Sequence, residues 1–94
     1  MCVAACNYCA SACLQEDNVK MMAKCISLDM DCAEICRTTG ILLARDSAHG
    51  KHLLKECAEV CEACANECGN HPNDHCQTCA RACTECASAC EAAA

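Results

Sequence analysis

The sequence predicts an all-α fold, an antiparallel up-down-up-down four-helix bundle forming one domain over residues 1–94, with a cysteine-lined core. Three observations predict it. The first is spacing. The 16 cysteines are Cys2, Cys6, Cys9 and Cys13; Cys25, Cys32 and Cys36; Cys57, Cys61, Cys64 and Cys68; and Cys76, Cys79, Cys83, Cys86 and Cys90. Almost every gap within a group is three, four or seven, which keeps residues on one face of an α-helix. The second is repetition. Cys2 to Cys13 reads C-x3-C-x2-C-A-x2-C, and both Cys57 to Cys68 and Cys79 to Cys90 repeat it with Ala65 and Ala87 in the alanine slot. Cys25 to Cys36 fits the same template if Asp29 stands where a cysteine would be. Four copies of one helical stripe imply four helices sharing one interior. The third is composition. Three Gly and one Pro are too few for a loop-rich disulfide scaffold, and Leu, Ile, Val and Phe together supply only 12 residues. Thiols and the methyl groups of 18 alanines must therefore form most of the core.

The first helix is expected from about Cys2 to Leu14, followed by the polar connection Gln15-Glu16-Asp17. The second is expected from near Asn18, capped by Asp17 or Asn18, to about Ala44. A turn around Arg45-Asp46-Ser47 leads into the third, which should end at Cys68 with Gly69 as the left-handed residue beyond it. After Asn70-His71-Pro72-Asn73, the fourth should start near Pro72 to Asp74, where Pro and acids suit a first turn, and run to about Glu91. Short connections make consecutive helices antiparallel neighbours.

Thirteen acidic against seven basic residues, a net charge of −6, disfavour a phosphate-binding surface and hence nucleic acid as a partner. No apolar run approaches the length needed to cross a bilayer. Residues 1–6 carry neither a basic n-region nor an apolar h-region, so a cytoplasmic, reducing location without membrane association is expected.

This topology sorts the remaining side chains to two ends. One end gathers Cys13, Met21, Met22, Cys68, His71, His75 and Cys76; the other carries Ile41, Leu42, Leu43, Leu53 and Leu54, expected to form an aliphatic plug. Seven i,i+4 cysteine pairs (2/6, 9/13, 32/36, 57/61, 64/68, 79/83 and 86/90) each offer two sulfurs from one helix, with a third available from a neighbour. That suits a soft ion satisfied by two or three thiolates, which points to Cu(I), several ions per chain. Zinc prefers four closed ligands on turn-borne knuckles, and iron–sulfur clusters need four cysteines each, commonly from a wrapping loop. Those two, and a thiol redox buffer, are the competing readings. All 16 cysteines are metal-ligand candidates. His71, His75, Met21 and Met22 are candidates for admitting the ion, and Asp29 for ligating it. His49 and His52 read as surface residues, and no nucleophile–base pair suggests an enzyme.

Four Cys-lined helices, the stretch Val19-Lys20-Met21-Met22-Ala23-Lys24-Cys25, the run Leu28-Asp29-Met30-Asp31-Cys32 and the segment His71-Pro72-Asn73-Asp74-His75-Cys76 resemble the bacterial copper storage proteins over nearly the whole chain. The resemblance implies a bundle filled with many Cu(I) ions, a homotetramer, and copper admission at the His/Met-bearing end. It also implies a cytosolic location where a signal peptide is lacking.

Overall fold

A computed structural model describes residues 2–94. Its four long helices are α1 (Cys2–Leu14), α2 (Ala23–Ala44), α3 (Ala48–Gly69) and α4 (Asp74–Ala93), with a 3-10 turn at Val19–Met22. The molecule is elongated, 44 × 18 × 16 Å. Each helix packs on two others in the closed ring α1–α2–α3–α4, while the backbones of the diagonal pairs stay apart and meet through sulfurs on the axis. Sulfur contacts fix the directions. Cys2 at the start of α1 meets Cys36 late in α2, and Cys25 early in α2 meets Cys68 at the end of α3. Cys57 early in α3 meets Cys90 late in α4, and Cys13 late in α1 meets Cys76 early in α4. All four neighbours are antiparallel, as the short connections require.

The interior is what the stripes predict. Fifteen of the sixteen cysteines are buried and Cys86 is half-buried. The slot alanines Ala10, Ala33 and Ala87 are buried with them. A methyl group at these positions lets helix backbones approach while each sulfur adds apolar volume. Burial of this continuous stripe supplies what helix propensity alone does not.

Three boundaries differ from expectation. α2 begins at Ala23 rather than near Asn18, and neither Asp17 nor Asn18 caps it; its N-cap is Met22, without a side-chain hydrogen bond. Residues 19–22 instead wind as a 3-10 turn, closed by Met21 N–H donating to the Asn18 carbonyl at 2.9 Å. The tighter winding rotates Met22 into the core. At the end of α3, Gly69 is the last helical residue and has no left-handed φ. The carbonyls that a glycine cap would serve accept instead from the next backbone amides, Asn70 N–H to Glu67 O and His71 N–H to Cys68 O (both 3.1 Å), while Gln77 Nε2 of α4 donates to Gly69 O (3.1 Å) and His71 O (2.7 Å). α4 continues two residues past Glu91, to Ala93. The α2–α3 turn forms where expected, with Asp46 left-handed (φ 57°) and the Ser47 hydroxyl accepting from His49 N–H. Gly50 lets the two helices approach closely there: a Cβ would lie 3.2 Å from the Leu43 backbone nitrogen, tighter than ordinary van der Waals contact.

The aliphatic plug is a correction. Of its five residues only Leu54 is buried; Leu42 and Leu53 are half-buried, and Ile41 and Leu43 are exposed. The hairpin of α2 and α3 projects beyond the start of α1, whose first pairing is Cys2 with Cys36. Two helices cannot enclose the side chains that four would. Among the described residues no helix is long and apolar enough to cross a membrane.

Candidate metal centre

The four stripes meet along the bundle axis and bring all sixteen sulfurs into one unbroken array. At the end carrying the α1–α2 and α3–α4 connections, Cys9, Cys13, Cys25 and Cys76 form a group whose sulfurs lie within 4.8 Å of one another. The ring of His75 sits on this group, with Nδ1 at 3.5 Å from Cys76, 3.6 Å from Cys9 and 3.8 Å from Cys13. Its Nε2 is 3.1 Å from Glu16 Oε1. The carboxylate accepts from Nε2–H, which assigns the tautomer and leaves the Nδ1 lone pair facing the sulfurs. A carboxylate behind the ring orients a ligating imidazole in this way.

One turn deeper lies Asp29, fully buried. Its Oδ1 accepts from Cys64 and Cys79 at 3.2 Å and Cys68 at 3.3 Å, and Cys25 Sγ stands 3.8 Å from Oδ2. Burial pushes this carboxyl up to about 7, against the opposing pull of the thiol hydrogen bonds. Asp29 joins two four-ligand groups, one with Cys6, Cys64 and Cys79, the other with Cys9, Cys68 and Cys79. Next come Cys6, Cys32, Cys64 and Cys83, then Cys2, Cys36, Cys61 and Cys86. The array ends at Cys57 and Cys90, 3.5 Å apart, with Cys57 linked to Cys36 at 3.6 Å.

These separations suit shared metal ions. Thiolate–metal bonds of about 2.3 Å place two sulfurs at most about 4.6 Å apart across one ion, and three at about 4.0 Å around it. Neighbouring sulfurs such as Cys32–Cys61 (3.6 Å), Cys32–Cys83 (3.8 Å) and Cys79–Cys83 (3.9 Å) need only small shifts. Sulfurs such as Cys6, Cys32, Cys36 and Cys83 each contact three or more others, so ions could be bridged into clusters. The two groups holding Asp29 share Cys79 with each other and Cys6, Cys64 or Cys9 with the neighbouring four-sulfur groups, and such overlapping sets are poorly suited to separate tetrahedral ions.

Without an ion the interior holds its charge down. Burial pushes the thiols of Cys13 up to about 11 and Cys90 up to about 12, and raises Cys76 and Cys86. In the middle of the array, hydrogen bonds with neighbouring sulfurs raise Cys6, Cys61 and Cys64 and lower Cys32 and Cys79. No lysine or arginine borders the array to compensate a set of anions; among the described residues their side chains are on the surface. The metal-free core is thiols.

The structure separates residues the sequence grouped together. Met22 is fully buried beside the array, whereas Met21 is 73% exposed. His75 touches three sulfurs; His71 instead hydrogen-bonds to Glu67 at 2.9 Å, and that carboxylate also faces Lys24 at 3.8 Å. Met21 and His71 thus lie outside the thiol array. His49 and His52 stand at the other end, exposed, with ring centroids 6.3 Å apart. Glu16 lies in the polar connection after α1, where the sequence marks it for no role. It reaches His75 across 59 positions, a contact for which no local pattern gives a signal.

The copper storage protein family profile matches residues 1–94. The uncharacterized cysteine-rich protein YhjQ of Bacillus subtilis (strain 168) is 44% identical over 80 residues, covering 85% of this chain and 74% of that protein. Among solved structures, the Cu(I)-bound copper storage protein BsCsp3 superposes with a TM-score of 0.92 at 44% identity, over 97% of this chain and 86% of the other. A cytosolic copper storage protein from Streptomyces lividans, loaded with five coppers, gives 0.93 at 42% identity, over 97% and 81%. With its four cysteine stripes facing one interior and a full-length match to the family, this chain belongs to the copper storage proteins.

Proposed function

We propose that this single bundle stores Cu(I) along its axis, with the sixteen cysteines as ligands, and that the ions pass through the end marked by His75. The observation that carries this reading is the unbroken array of sulfur groups within 4.8 Å of one another. Two-coordinate and three-coordinate thiolate sites are what Cu(I) selects. Each ion takes the place of roughly one thiol proton, so the core stays close to neutral as it fills. Asp29 serves as an oxygen ligand or as the acceptor that positions Cys64, Cys68 and Cys79. His75 hands ions to Cys9, Cys13 and Cys76, and Met22 lends its thioether to the same end. His71 and Met21, outside the array, act as outer landing points. Storage rather than catalysis is the role.

Self-association into a tetramer accords with the apolar side chains left exposed on α1 and α2, including Tyr8, Leu14 and Met30. A cytoplasmic location accords with the Streptomyces lividans relative described as cytosolic. The deciding experiment is an anaerobic Cu(I) titration of the reduced protein against a chromophoric chelator, with proton release recorded. Filling a soft-ligand array to near neutrality requires about 10–20 ions per chain. Saturation below about four, with every thiol reduced, overturns the assignment.

A further inference from the structure

The end opposite His75, expected to be closed by leucines, holds the opening. A cavity of about 330 Å³ runs inward between α2, α3 and α4 beside the start of α1. Sulfurs form its floor, among them Cys2, Cys36 and Cys86. These belong to the terminal four-sulfur group, and Cys36 contacts Cys2 at 3.0 Å and Cys86 at 3.7 Å. Cys86 is the one half-buried cysteine, the other fifteen being buried. An independent feature marks the same space. Thr39 lines the cavity, is 98% buried (2% exposed), and its Oγ1 finds no hydrogen-bond partner among the described residues. Helical threonines ordinarily return this bond to the preceding turn, and a buried hydroxyl left without one is unfavourable.

We infer that this cavity is a second port, a binding site for a small uncharged thiol that carries a hydroxyl or amide group and withdraws Cu(I) from the terminal sulfur group. The inference rests on the Cu(I) storage reading. The cavity volume is that of about ten water molecules, enough for a small organic molecule and not for a folded partner. Leu43 and Leu54 line it and favour an apolar body, while Thr39 supplies the polar contact. The carboxylate of Glu85 at the opening and the net charge of −6 oppose an anionic visitor.

The exchange balances without any oxidant or reductant. The incoming thiol gives its proton to a leaving cysteine sulfur as its own sulfur bonds to Cu(I), and one Cu–S(Cys) bond breaks. A second such thiol repeats the step, releasing copper as a bis-thiolate anion and leaving two cysteine thiols behind. The metal remains Cu(I) throughout. A two-coordinate soft ion accepts a third sulfur before losing one, so an approach path for that sulfur is the requirement the cavity meets.

Gly40 makes the test clean. It lines the cavity, and a Cβ there meets nothing within 4 Å. Gly40→Leu therefore fills the space from a non-ligand position while favouring the helix. Wild-type and variant proteins are loaded to equal copper content, and transfer to excess bathocuproine disulfonate is followed anaerobically with 2-mercaptoethanol, ethanethiol or mercaptoacetate present. In the wild type, transfer should accelerate most with 2-mercaptoethanol, less with ethanethiol and least with mercaptoacetate. Gly40→Leu should lose the acceleration at unchanged copper capacity, and Thr39→Val should erase the advantage of 2-mercaptoethanol over ethanethiol. Acceleration that survives in Gly40→Leu overturns the proposal. Alkylation of the reduced apo-protein with iodoacetamide, read by peptide mass spectrometry, tests the opening without copper. Cys86 should react first in the wild type and be protected in Gly40→Leu. First reaction at Cys9, Cys13 or Cys76, or an unprotected Cys86, overturns the port. Failure of the storage reading shows separately, as wild-type protein that never loads several ions.

Discussion

Replacing Asp29 with asparagine should remove a large part of the pH dependence of the metal-free protein's stability. Asp29 is fully buried, and burial lifts its carboxyl from 3.8 to about 7. In this range the native state binds a proton that the unfolded chain has already released, so stability falls as pH rises. The contribution is intact below pH 4 and is lost progressively as pH rises through about 7. A shift of about three units is worth about 4 kcal/mol in total, of which about 2.5 kcal/mol falls between pH 5 and pH 8. Asparagine preserves the shape and a carbonyl oxygen where Oδ1 accepts from Cys64, Cys68 and Cys79, and it does not ionise. The assay is anaerobic urea unfolding of reduced apo-protein, followed by far-ultraviolet circular dichroism at pH 5 and pH 8. The other ionisable groups are common to both proteins, so the difference between them isolates Asp29. The wild type should lose about 2.5 kcal/mol more than Asp29→Asn over that interval. Equal losses would refute the reasoning and mean that the carboxyl ionises without penalty.

Three further outcomes are expected. Met22→Ala should cost about 2–5 kcal/mol of apo stability by opening a cavity in the core, while Met21→Ala stays within about 0.5 kcal/mol; urea midpoints decide between them. His75→Ala should slow the uptake of Cu(I) measured by stopped-flow absorbance while leaving the capacity nearly whole, because its Nδ1 alone among the histidine nitrogens faces sulfurs. His71→Ala, which breaks a contact with Glu67, should do so less, and His49→Ala combined with His52→Ala not at all. Circular dichroism of the reduced apo-protein should be strongly helical, because protonated thiols pack as small apolar groups; a coil spectrum would show that metal is needed to fold it.

The sequence by itself determined the elements and the identity of the core. Spacing of three and four is a local property of one chain segment, and it names the buried face of a helix without reference to any partner. The start of α1 and the turn at Asp46 were legible on the same grounds. The tight end of α3 was not, because Asn70 and His71 close it with backbone bonds to Glu67 O and Cys68 O, and Gln77, eight residues beyond Gly69, holds Gly69 O from α4.

Tertiary structure alone decided which candidates work together. Met21 and Met22 are adjacent in sequence, yet a single 3-10 turn buries one and exposes the other. His71 and His75 lie one helical turn apart in number, yet only His75 falls within α4 and over the sulfurs, steadied by Glu16 from the far side of the bundle. Asp29 occupies a cysteine slot in the pattern, but three thiols from α3 and α4 converge on its one oxygen only when the helices take their registers. The leucines of the α2–α3 hairpin read as a plug because apolar side chains are expected to be buried. Burial needs neighbours on every side, and where α1 starts level with Cys36 there are too few helices to provide them. Periodicity reports which face of a helix turns inward. How far each helix extends past its neighbours, and so where the core opens to solvent, is set by packing between segments distant in the chain.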